Sequence, residues 1–170
     1  SQAVLAQQAI EITRGTDKAT PIAVVPFGWQ GSAPLPEDLA QITANNLRNT
    51  GMFAPFAREN MLSYPTRAEE IFARDWRMLG VEFVVAGRIT GTAERYELNY
   101  ALYSVAREEI LMTKVVSGTQ AQLRDMAHHL SDQVFEQITG IRGAFSTKIL
   151  YVAAERFSVD NTRYTLQRAD

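Results

Sequence analysis

The 170-residue sequence contains no cysteine. That excludes disulfides, thiolate metal sites and cysteine nucleophiles, while leaving the compartment open. Only two histidines occur, His128 and His129. No apolar run approaches the roughly 20 residues that a membrane-spanning helix requires. Nor is there a surplus of cations: 17 Lys and Arg stand against 19 Asp and Glu, for a formal net charge of -2. A phosphate-backbone binder needs clustered basic residues to displace counterions, and Arg88, Arg95 and Arg107 mark no stripe. Missing too are the G-x-S-x-G elbow of hydrolases, the G-x-G-x-x-G fingerprint and the G-K-[ST] phosphate loop.

What is present suits one compact domain with some terminal extension. An apolar share of 46% against 21% charged residues allows a real core to be buried. Ile10-Glu11-Ile12-Thr13 alternates before Gly15, as a short strand or extended arm would. Residues 21–27 (Pro-Ile-Ala-Val-Val-Pro-Phe) form a nearly continuous apolar run, the pattern of a strand covered on both faces. Residues 28–36, rich in Gly and Pro, predict a loop. Pro36-Glu37-Asp38 opens a helix with Leu39, Ile42, Asn46 and Leu47 at helical spacing, and Gly51 ends it. Residues 52–56 predict a short strand. Residues 68–79 predict a second helix with Ile71, Phe72, Asp75, Trp76 and Leu79 along one side.

Residues 81–89, 96–103 and 110–116 read as three strands of an antiparallel meander. A long helix begins at Thr119 or Gln120 and carries Leu123, Met126, Ala127, Leu130, Val134, Phe135 and Ile138 inward, ending at Gly140. Residues 149–152 predict one further strand. The expected fold is therefore α/β, a mixed sheet packed with three helices, with right-handed crossovers wherever the joined strands are parallel.

Candidate chemistry is sparse. Neighbouring helical residues point about 100° apart, so His128 and His129 cannot share a metal. His128 with Asp132 has ligand-pair spacing but no third ligand nearby, which predicts a histidine hydrogen-bonded to a neighbour. Ser131, His128 and Asp132 are the residue types of a hydrolase triad but share one helical turn. Gly28-Trp29-Gln30-Gly31 sits between a strand and a helix, where phosphate loops lie; the carboxylates of Glu37 and Asp38 would repel an anion there. The pairs Glu69-Glu70 and Glu108-Glu109 read as solvated positions. Trp29, in a polar loop, is either an exposed contact anchor or packed back on the domain.

Several strings carry a resemblance. They are residues 21–27 (Pro-Ile-Ala-Val-Val-Pro-Phe), 36–38 (Pro-Glu-Asp), 47–53 (Leu-Arg-Asn-Thr-Gly-Met-Phe), 80–87 (Gly-Val-Glu-Phe-Val-Val-Ala-Gly) and 131–149 (Ser-Asp-Gln-Val-Phe-Glu-Gln-Ile-Thr-Gly-Ile-Arg-Gly-Ala-Phe-Ser-Thr-Lys-Ile). In order and spacing they resemble the amino-terminal domain of the TolB family of the bacterial Tol–Pal envelope system. The resemblance implies a periplasmic, non-catalytic interaction protein without cofactor or metal. It also implies roles in outer-membrane integrity, invagination at division and bacteriocin import. Its implied partners are the carboxy-terminal domain of TolA, bound by the amino-terminal segment, and Pal, bound mainly by a β-propeller. The segment matching the TolA-binding part includes Gln7, Ile10, Ile12, Thr13, Gly15 and Asp17, with Glu11 and Arg14 adding charge where the family often has apolar or small residues.

The resemblance divides the chain into three. Residues 1–17 are a TolA-binding arm, whose first six residues are either the end of a secretory signal or a flexible terminus. Residues 18–153 are the α/β domain. Residues 154–170 are a linker and an orphan hairpin, turning at Asp160-Asn161, from a propeller that the chain lacks. Two other classes compete with a partner-binding module. A small hydrolase or transferase would hold its site at the strand ends of the sheet. A nucleic-acid binder would need a contiguous basic face.

Overall fold

A computed structural model describes residues 18–92 and 94–146, and the backbone of 150–158 and 161–168. The expected arm strand at 10–13 lies outside the described residues. Strand β1 (Thr20–Val24) comes from the continuous apolar run. Ile22 and Val24 enter one core cluster, while Ala23 and Val25 enter another. Burial on both faces is why that run does not alternate.

Helix α1 (Leu39–Asn49) begins just after the Pro36-Glu37-Asp38 expected to open it. Asp38 is extended at φ -89 and ψ 91, and its carboxylate accepts the Gln41 amide at 2.9 Å, so it caps the helix instead of joining it. Strand β3 (Phe53–Pro55) lies parallel to β1, from Thr20↔Phe53 to Ile22↔Pro55. Strand β4 (Phe83–Thr92) lies parallel on the other side of β1. Between β1 and α1, the stretch expected to be all loop forms strand β2 (Gly28–Gln30), which continues alongside β4 from Gly28↔Arg88 to Gln30↔Thr90. That partner is some 60 positions away, so local composition could not reveal it.

The second helix is shorter than expected. Residues 68–79 divide into a 3-10 turn (Ala68–Glu70), an extended break at Ile71 and Phe72, and helix α2 (Ala73–Met78). In one continuous helix Ile71 and Trp76 would point about 140° apart. The break sends Ile71, Ala73 and Trp76 into a single cluster and leaves Phe72, expected inside, 67% exposed. The two crossovers leave β1 and β3 in opposite directions across the sheet. A constant right-handed turn therefore puts their helices on opposite faces, and α1 and α2 do belong to different clusters.

Strands β4, β5 (Arg95–Ser104) and β6 (Glu109–Gly118) form the expected meander. A 3-10 turn leads into α3 (Leu123–Thr139), opened by a capping box in which the Thr119 amide donates to Gln122 Oε1 at 2.9 Å. All seven residues expected on its inner face are buried, and α3 packs beside α1 on one side of the sheet.

Strands β7 (Leu150–Ser158) and β8 (Asn161–Arg168) make an antiparallel hairpin. The strand expected at 149–152 is thus the start of one hairpin arm, while Asp160, expected in the turn, lies outside the described residues. The hairpin also has a partner strand. β8 runs parallel to β6 from Lys114↔Thr162 to Ser117↔Thr165, giving the order β3-β1-β4-β5-β6-β8-β7 with β2 beside β4. The backbone groups that β6 would otherwise leave open at a sheet edge account for the docking.

Candidate functional site

The residues expected to bind a partner (Gln7, Ile10, Ile12, Thr13, Gly15 and Asp17) lie outside the described residues. Their attachment point does not. The chain enters β1 at Thr20, whose amide donates to the Met52 carbonyl at 2.8 Å. The residues before Thr20 therefore lead into the domain at the amino-terminal end of the parallel strands, opposite the end where α1 starts.

The residue types that suggested catalysis are committed to structure. Asn46 on α1 lies 2.9 Å from His128 Nδ1 and donates to Ser131 Oγ at 2.9 Å, tying α1 to α3. Ser131, fully buried, donates in turn to the Ala127 carbonyl. Asp132 accepts the Phe145 and Ser146 amides at 2.7 and 3.2 Å, fixing the segment after α3. A serine, a histidine and an aspartate on one turn thus serve two unrelated contacts.

His129 is buried beside Lys114 and Asp132. Burial, reinforced by the Lys114 charge and opposed by Asp132, pushes its pKa down to about 4. Among the described residues no group of three or more His, Asp or Glu could hold a metal ion.

At the start of α1 the Asp38 carboxylate meets Arg58 at 2.9 Å. Burial opposes charge on Asp38, but Arg58 and the Gln41 and Ala40 amides hold its carboxyl below the usual carboxylate range. The position where a phosphate would sit is therefore filled by the protein's own anion. Above it lies a cleft of about 230 Å³ lined by Phe27, Trp29, Leu35 and Leu39 with Glu37 at hand. Trp29 packs back on the domain: its indole donates to the Ala33 carbonyl at 2.8 Å and its ring lies 5.7 Å from that of Tyr96.

The paired glutamates are exposed, as expected of solvated positions, and three of the four make local contacts. Glu70 accepts the Thr66 amide, Glu108 binds Arg77 at 3.0 Å and Glu109 meets Arg107 at 3.5 Å. A second cleft, of about 190 Å³, lies on the α2 side of the sheet between the 66–69 loop and β4–β6. Nothing in the sequence pattern marked it, because its residues come from four separate segments. Among the described residues no helix is long and apolar enough to cross a membrane.

Comparison with known proteins places this architecture. Residues 8–111 match the family model of the TolB amino-terminal domain. The Tol-Pal system protein TolB of Pseudomonas syringae pv. syringae is 57% identical over 164 residues, covering 96% of this chain and 38% of the relative. That of Pseudomonas aeruginosa is 54% identical, covering 99% and 39%. The chain thus spans about two fifths of the length of these relatives. A crystal structure of TolB from Acinetobacter baumannii superposes with a TM-score of 0.65 at 30% identity, covering 79% of this chain and 32% of that one. The chain belongs to the TolB family of Tol–Pal system proteins, matching its amino-terminal domain.

Proposed function

We propose that the chain is a non-catalytic periplasmic module of the Tol–Pal system that binds the carboxy-terminal domain of TolA through residues 7–17. In this reading Ile10 and Ile12 form one side of an extended arm, with Gln7, Thr13, Gly15 and Asp17 completing the contact. The α/β domain of 18–153 is the platform that carries it. Residues 154–170 open the propeller that makes the main contact with Pal. Through these contacts the protein supports outer-membrane integrity and invagination during division.

The observation that carries the reading is the 57% identity to a Tol-Pal system protein TolB. The physics of the arm is compatible with it. A β-capable segment can complete a partner's sheet edge through backbone hydrogen bonds, and the ordering entropy keeps the affinity modest and reversible. The structural commitments of Ser131, His128 and Asp132 leave the enzyme alternative without a nucleophile-and-base pair among these residues. Deleting residues 1–17 should abolish binding to the TolA carboxy-terminal domain while moving the thermal midpoint little. Undiminished binding by the deletion variant overturns the assignment of the arm.

A further inference from the structure

The cleft on the α2 side of the sheet has a composition that the arm-based function does not use. Sheet register puts Ala86, Arg88, Asn99, Ala101 and Thr113 on one face, through the pairs Ala86↔Ala101, Arg88↔Asn99 and Ala101↔Thr113. The 66–69 loop closes over them. That loop is held in place: the Thr66 amide donates to Glu70 Oε2 at 2.9 Å, and its methyl packs so close to Gly28 that a Cβ there would lie 2.8 Å away. The cleft is therefore bounded by a seated segment.

Its two arginines, Arg67 and Arg88, share the lining with Glu69 but form no ion pair among the described residues. Arg58, Arg74, Arg77 and Arg107 each face a carboxylate, and Arg48 and Arg95 each donate to a side-chain oxygen. Arg88 is half-buried, yet among the described residues neither it nor Arg67 makes a hydrogen bond or ion pair. A guanidinium presents five donors in a planar fork that matches a carboxylate. Thr66 and Thr113 add hydroxyls at the same cleft.

We propose that this cleft is a carboxylate-recognition site that reads an Asp or Glu side chain in an acidic segment of a protein partner. Two considerations select that ligand. Arg67 and Arg88 against Glu69 leave one net positive charge, which balances a carboxylate and falls short of a phosphate dianion. The volume of about 190 Å³ is below the roughly 300–1,000 Å³ of small-molecule sites and suits one side chain. The contact belongs to the folded domain and is independent of residues 1–17, so it goes beyond arm-mediated binding.

The test is an amide-resolved NMR titration of the 170-residue chain with acetyl-Gly-Glu-Gly-amide, acetyl-Gly-Gln-Gly-amide and inorganic phosphate. The glutamate peptide should give saturable shifts at residues 66–69, 88, 99 and 113, with the glutamine peptide at least about tenfold weaker. Arg88→Gln should weaken glutamate-peptide binding at least about tenfold with little change in thermal midpoint, whereas Arg74→Gln should not. Arg88→Lys, which keeps the charge but loses the fork, should fall between and guards against a misfolded glutamine variant. Deleting residues 1–17 should leave the titration unchanged, which separates this site from the arm. The proposal is overturned by equal response to the two peptides, by unaltered binding in both Arg88 variants, or by tighter binding of phosphate.

Discussion

Asp38 and Arg58 meet across 20 residues of chain: guanidinium Nη1 lies 2.9 Å from Oδ2, while Oδ1 accepts the Gln41 amide. One carboxylate thus starts α1 and pins the 3-10 turn at Arg58–Asn60 to it.

Removing that carboxylate should act mainly through the cap. Asp38→Ala is expected to cost about 1 kcal/mol, because the ion pair is half exposed and adds little. Asp38→Asn keeps a capping oxygen but loses the charge. Since the folded pKa is lowered, the charge-linked part is present above the unfolded carboxylate value near ~3.9 and is lost as pH falls through the folded one. Urea unfolding at pH 7 and pH 2.5 checks this. A gap between wild type and Asp38→Asn that persists at the lower pH would refute it.

Asn46 couples two helices through Ser131 and His128. Asn46→Ala should destabilise by about 1–2 kcal/mol, because it leaves a buried hydroxyl acceptor unfilled at the helix interface. In a double-mutant cycle with Ser131→Ala, the two costs should be non-additive by at least about 0.5 kcal/mol. Strict additivity would mean that the bond contributes nothing in solution.

His129 supplies a pH dependence of its own. Its folded pKa of about 4 lies below the ordinary 6.5, so the neutral form is favoured in the fold. The sign follows: its contribution, about 3 kcal/mol at most, is full above 6.5 and declines as the pH falls toward 4. His129→Leu should flatten the stability profile across that window. An unchanged slope would assign the acid sensitivity to other groups.

Gly31 lies under the Trp29 ring: a Cβ added there would sit 2.0 Å from an indole carbon. Gly31→Ala should expel the indole, breaking its bond to Ala33 and its contact with Tyr96. Trp76 stays buried, so a red shift in tryptophan emission would report Trp29 alone. Emission identical to wild type would show that the loop yields instead.

Elements whose register is local were legible in the sequence. The inner face of α3, from Leu123 to Ile138, and the meander of β4–β6 follow from spacing alone. Long-range effects were not. Gly28-Trp29-Gln30 is a strand because β4 offers a free stretch at Arg88–Thr90, and the 68–79 helix breaks because one cluster claims Ile71 and Trp76 together. The roles of Ser131 and Asp132 could be narrowed by their shared helical turn, but Asn46, 85 positions from Ser131, could not be named as the partner. Arg88 carried no motif at all; its place beside Arg67 in one cleft depends on the 66–69 loop folding over β4, which spacing along the chain does not show.

The last strand on one side of the sheet has a consequence for behaviour at high concentration. β3 is three residues long and ends at Pro55, which has no amide to donate. An incoming strand from another molecule meets too few donors there to start a growing ladder. A crowded solution of this domain is therefore protected at that boundary from the stacking that turns folded sheets into fibres.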